Sequence, residues 1–229
     1  LTAHWLSDSA MRRTPVAFRV ALGVKGSSRY TRNSASMIVN PSSAEVVRHV
    51  PHRWLINQWA RAGGRVTDPA MVPFSFEPAS IDMPRSILTR VIGSDEPRYQ
   101  ILHYGSLLSV ASGLEARGLY LDEVLSPATR DYILAQYDLC RRIRKPVYSI
   151  SCVSDVHDVP VDYEKLLLPF TNGQGEVHCI FTATLLISTE GRFERDGIFA
   201  NGDFPAPNSV AVYSIDVGRE DHPHLRAAI

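Results

Sequence analysis

No charge of either sign predominates in this chain: 24 Lys and Arg stand against 24 Asp and Glu in 229 residues, and the pI is near 7.2. That balance lacks the basic footprint of a nucleic-acid surface, and no basic stretch is interleaved with aromatics, so no nucleic-acid partner is expected. No window reaches the roughly 18 uninterrupted apolar residues of a membrane helix. Cysteine is scarce. Cys140, Cys152 and Cys179 form an odd set with no C-x-x-C, which argues against a disulfide framework. They are expected to be small buried hydrophobes in a reducing cytoplasm. G-x-G-x-x-G, a Walker phosphate loop, H-E-x-x-H and G-x-S-x-G are all missing, which lowers the expectation of an enzyme. Acidic residues are missing between Asp8 and Glu45, where Arg12, Arg13, Arg19, Lys25, Arg29 and Arg32 fall among serines. This is the composition of a transit peptide or a disordered arm. Residues 1–41 are expected to be a basic arm or an over-extended start, with Met37 as a candidate true start.

The remainder has ordinary globular composition, 45% hydrophobic and 21% charged. The expected folded unit is 42–190, followed by a Gly- and Pro-rich tail over 191–229. Ser42 or Ser43 can cap an amphipathic helix bearing Trp54, Leu55 and Trp59. Pro51 is expected to break or kink it, and Gly63-Gly64 to end it. Ile87–Ile92 and Arg98–Tyr104 read as strands about a turn, and "SLLSVASGLEARGLYLDEVL" as short helical turns. Ser126-Pro127 opens a long helix that Pro146 ends. "VYSISCV", "YEKLLLPF" and "VHCIFTATLLI" read as strands, with Asn172-Gly173 supporting a hairpin between the last two. "SVAVYSID" is at most an edge strand. The order helix, two strands, helices, three strands indicates α+β. The expected architecture is a five-stranded antiparallel sheet with helices on one face, preceded by the amphipathic helix.

Two-residue alternation places Tyr99, Ile101 and His103 on one strand face, and Cys179, Phe181 and Ala183 on another. With Tyr137 of the long helix they are the candidate walls of a ligand pocket. The same residues equally serve as plain core. The strands are apolar on both sides, so the helix with Val50, Trp54, Leu55 and Trp59 is expected to cover the second face or to pair with another copy in a homodimer. Asp155, His157 and Asp158 in "SDVHD" suit a solvated turn better than a cation site, and no metal is expected. The alternative function is a small enzyme in which His103 works with Asp155 or Asp158.

Tyr104-Gly105-Ser106, Gly113 through Gly118 to Asp122-Glu123-Val124, Lys145-Pro146-Val147, "YEKLLLPFTNGQGEVHCIFTATL" and "HRWLINQWARAGGRVTD" form a set of segments that resembles the PAS-like sensory family common in alphaproteobacteria. Their order and spacing span Val46 to Ser188. The resemblance implies a non-enzymatic module of bacterial signal transduction, with a small ligand, a signalling partner, or both. It names no cofactor. The cysteine segment of flavin-binding relatives is absent, the stretch from Thr129 to Lys145 holds no histidine for haem, and C-x-x-C-H is missing.

Overall fold

Alternation of apolar side chains on both sides of the central strands demands cover on both sides, and a helix lies on each. The computed structural model describes residues 18–19, 37–75, 83–154, 160–188, 207 and 209–217. Among them are β1 (Phe18–Arg19), β2 (Ile38–Ser43), β3 (Ser86–Ile92), β4 (Arg98–Tyr104), β5 (Val147–Ser154), β6 (Pro160–Thr171), β7 (Val177–Ser188) and β8 (Ser209–Asp216). They form one sheet in the order β1-β2-β8-β5-β6-β7-β3-β4. The helices are α1 (Val50–Arg61), α2 (Ser106–Ser112), α3 (Leu121–Val124) and α4 (Pro127–Ile143). No helix among the described residues is long and apolar enough to cross a membrane.

The fold is α+β, but the sheet differs from the expected five antiparallel strands. β3 to β7 do form a block in which each neighbouring pair is antiparallel. β8 then adds to the outer edge of β5, and β2 pairs with β8 in parallel, so the whole sheet is mixed. "SVAVYSID" is therefore an interior strand. The expected boundary at residues 41 and 42 falls inside β2, and β1 pairs with β2 through Phe18↔Val39 and Arg19↔Ile38. The rest of 1–36, and most of 191–229, lies outside the described residues. Pro41 concealed β2. Proline cannot donate to a ladder, but β1 pairs only as far as Val39, so no described strand flanks Pro41 on that side.

α1 covers one face of the sheet. Its Leu55 and Ile56 are buried with Leu166, Leu168, Phe170 and Phe181. Pro51 stands in its first turn, where a missing N–H costs nothing, and so starts the helix rather than kinking it. Ser43 caps a preceding 3-10 turn at Ala44–Val46 instead of α1. The Trp59 indole donates to the Pro169 carbonyl at 2.6 Å. Gly64 completes the stop with φ of +59°, and a Cβ there would sit 2.6 Å from the Trp59 ring. Val50 is 72% exposed and does not belong to this cover, whereas Trp54 and Trp59 are half-buried against it.

α4 covers the opposite face with Ile133, Leu134, Tyr137 and Cys140, packed on Tyr99, Ile101, Val147, Leu167 and Ile180. Ser126 occupies its N-cap position and Pro127 its first turn, and Arg144 closes it at φ 55°. The β6–β7 hairpin turns at Asn172, whose side-chain Oδ1 accepts from the amides of Gln174 and Glu176 at 2.9 and 3.0 Å. The positive φ falls on Gly175, not on Gly173. The outer edge of β4 is not bare: the Ile101 amide donates to Leu119 and its carbonyl accepts from Gly118, both at 2.8 Å. This strap leads into α3, where Arg98 reaches Asp122 and Glu123 at 2.8 and 2.9 Å.

If α1 is held by its buried stripe, Leu55→Ala lowers unfolding stability by about 2–5 kcal/mol. Val50→Ala leaves it within about 0.5 kcal/mol. Urea titration of both variants checks this; equal losses would mean that α1 is not seated as described.

Candidate functional site

Residues 163 to 170 of β6 are all buried, which leaves a charged pair, Glu164-Lys165, inside the molecule. Successive strand residues face opposite sides, so these two cannot pair with each other. Glu164 turns towards α1 and Lys165 towards α4. Each needs partners that its neighbour in the chain cannot supply.

On the α1 side one oxygen of Glu164 is served, while Oε1 has no hydrogen-bond partner among the described residues. The Tyr148 hydroxyl donates to Glu164 Oε2 at 2.6 Å, and His52 Nδ1 lies 3.9 Å from the same oxygen. Burial, with His49 beside it, holds the His52 imidazole down to about 4. At the rim Arg48 donates to Asp162 at 2.7 Å. The Tyr148–Glu164 bond joins β5 to β6, and His52 of α1 packs against it with no hydrogen bond from Nδ1 among the described residues.

Lys165 has no such provision. It is 3% exposed, and its ammonium has no hydrogen-bond partner among the described residues. Register places Ser149 of β5 and Thr184 of β7 beside it. Above it α4 presents Tyr132 and, one turn on, Gln136. Lys165 Nζ stands 5.6 Å from the centroid of the Tyr132 ring. Gln136 accepts from Ser149 through Oε1 at 3.1 Å, but its Nε2 has no partner among the described residues. The Tyr132 hydroxyl lies beside Ser151, whose side chain interacts with it. Burial alone pulls the Lys165 amine down to about 7 and is the first cause pushing the Tyr132 phenol up to about 12. Tyr163, also buried, is raised by desolvation and by Tyr132, Tyr137 and Tyr104 nearby. An amine, an amide and a phenol thus converge under α4 as donors, and no carboxylate acts on the amine.

The expected pocket residues separate into two groups. Tyr99, Ile101 and Tyr137 lie in the α4-side core. There the Tyr99 hydroxyl donates to Asp138 at 2.5 Å, Tyr137 shares a 2.7 Å bond with Thr182, and the two rings are 5.1 Å apart. Cys179, Phe181 and Ala183 do share a face, but it is the α1 side. Alternation says which residues lie together, not which side of the sheet they take. A bulge between Leu88 and Thr89 also breaks the alternation on β4. His103 pairs with Leu88 and leaves the side of Tyr99 and Ile101. It lines two surface grooves of about 460 and 380 Å³ that flank β4. The seven residues therefore do not enclose one chamber. Asp155, His157 and Asp158 lie outside the described residues. Among the described residues no three His, Cys, Asp or Glu side chains are grouped to hold a metal ion. The three thiols are unpaired, with Cys140 and Cys179 buried.

No family model matches the chain, and no curated protein does. Among solved structures there is a match to one described as an RNA-binding light-oxygen-voltage receptor, at 18% identity and a TM-score of 0.34. It takes in 58% of this chain and 36% of the other. A likeness this slight decides neither fold nor function.

The amine gives a pH signature. Between about pH 7 and the ordinary lysine range near 10.4 the unfolded chain holds a proton that the folded chain lacks, so stability rises with pH. Across that window Lys165 contributes a slope of about 1.4 kcal/mol per pH unit. Its contribution is complete above the window and lost as pH falls through 7. The stability of wild type minus that of Lys165→Met, from denaturant titrations at pH 6 to 10, is expected to rise accordingly. A flat difference would contradict the buried amine.

Proposed function

We propose that the chain is a non-enzymatic sensory and interaction module of the PAS type, acting in cytoplasmic bacterial signalling. Its signal is a small molecule held under α4 by Lys165, Gln136 and Tyr132. One observation carries this reading: the buried Lys165 amine and the Gln136 amide nitrogen have no partner among the described residues, and Tyr132 stands over the amine on the same face of the sheet. Each such group costs about 1–3 kcal/mol while unsatisfied, so a ligand that accepts from them recovers free energy that the free protein forgoes. Support also comes from the element order. Two strands, a helical stretch and three strands form the antiparallel block β3 to β7, the arrangement implied by the motifs from Tyr104 to Leu185.

Output through a signalling partner or a second copy belongs to the same proposal. β6 is the natural conductor. A ligand that draws Lys165 towards α4 strains the adjacent Glu164, which accepts from Tyr148 of β5 and lies 3.9 Å from His52 of α1 on the other side. The alternative enzyme is less well supported: of its proposed residues only His103 is described, and it lies at the edge of the sheet.

A thermal-shift screen of purified wild-type protein against a metabolite library tests the reading. A ligand at 100 times its Kd adds about 2.7 kcal/mol, which for a domain of this size raises Tm by roughly 5–10 °C. At least one compound is expected to do so for wild type and not for Lys165→Met or Gln136→Leu. A library without any Lys165-dependent shift would overturn the ligand site.

A further inference from the structure

We infer that the group recognised under α4 is the carboxylate of a small organic acid, an inference that rests on the ligand site proposed above. The argument is a census of hydrogen-bonding capacity. Lys165 offers only donors. Gln136 has its oxygen engaged by Ser149, which leaves its two N–H donors free. The Tyr132 hydroxyl offers a donor, and with its phenol pushed up to about 12 it keeps that proton at neutral pH. Thr184 has already committed its hydroxyl to the Arg85 carbonyl at 2.8 Å. The nitrogens of Lys165 and Gln136 offer donors alone, and the acceptors at the site are the hydroxyl oxygens of Ser149, Ser151 and Tyr132, so the group that best uses the nitrogens is an acceptor.

Charge sets the same limit. The titratable groups facing Lys165 are the phenols Tyr132 of α4 and Tyr163 of its own strand, with Tyr137 and Tyr104 adjoining. β5 and β7 bring the hydroxyls of Ser149, Ser151 and Thr184. Glu164 is on the other face, and Asp138 of α4 is held by Tyr99. One buried ammonium compensates one negative charge. A phosphate dianion would keep a second charge buried without a partner, at high cost. A carboxylate has one charge and two oxygens, which one ammonium and the neutral donors beside it can serve. The aromatic rings around them suit an apolar remainder.

Protonation of the amine accompanies binding, because a buried carboxylate favours the charged lysine. Affinity is therefore highest below pH 7 and falls about tenfold per pH unit above it, and protons are taken up as the acid binds.

The test is calorimetry of full-length protein with acetate, butyrate and benzoate against the isosteric amides acetamide, butyramide and benzamide. Titrations in HEPES and in Tris at pH 7 and 8.5 measure proton uptake from the difference in buffer ionisation heat. The expected result is binding of at least one acid, at least tenfold weaker binding of its amide, net proton uptake at pH 8.5, and loss of binding in Lys165→Met. Proton uptake is read on wild type alone, so it stands even if the variant fails to fold. An amide that binds as tightly as its acid, or acid binding without proton uptake, would overturn the carboxylate and leave the ligand site standing. Absence of binding by all three acids would overturn the carboxylate too, while the ligand site is decided separately by the metabolite screen.

Discussion

A strand with a helix on each side has no water on which to unload a charge. β6 is such a strand, and it carries two adjacent charges of opposite sign. The pleat sends them to opposite faces, so the pair that neighbours in a chain would ordinarily make is forbidden. Each face then has to answer for one buried ion. The α1 face answers with the Tyr148 hydroxyl of β5, and His52 of α1 lies 3.9 Å from the same carboxylate. The α4 face leaves the ammonium without a hydrogen bond among the described residues and places aromatic and amide groups around it. The difference between the faces follows from one backbone rule: each side of the sheet has to supply its own partners to one charge.

Much of the architecture was legible where propensity and pattern agreed. β3, β4 and α4 fall within a residue or two of the spans expected from alternation and from Ser126-Pro127, because those elements take their ends from local chemistry. β2 and β8 were not legible in the same way. A six-residue strand containing proline looks like a loop until its partner is known, and the partner lies 173 residues further on. The site was harder still. Tyr99, Ile101 and Tyr137 were correctly read as one neighbourhood, but the two-residue period cannot say that Cys179, Phe181 and Ala183 face the other way, nor that a bulge diverts His103. The signal that went unread was the Glu164-Lys165 pair in "YEKLLLPF": charge inside a strand whose flanks require burial on both faces.

The two helices differ in how they meet the sheet. α1 is anchored by its apolar stripe and by the Trp59 indole on Pro169. α4 is seated by apolar side chains and by Tyr137 and Asp138, while its middle, above Lys165, carries the polar groups left open. A small molecule at the proposed site would touch the middle of one helix and the middle of the central strand.

The parallel pairing of β2 with β8 gives the molecule a particular history during synthesis. Until residues 209–216 have left the ribosome, β5 has no partner on its outer side and β2 has no β8 to join. The antiparallel block β3 to β7 can form early, but it must wait with an open, apolar edge, the form of strand most prone to pair with a neighbouring nascent chain. A shortened product that stops before Ser209 would keep that edge permanently. Its failure would show as aggregation rather than as a simple loss of melting temperature.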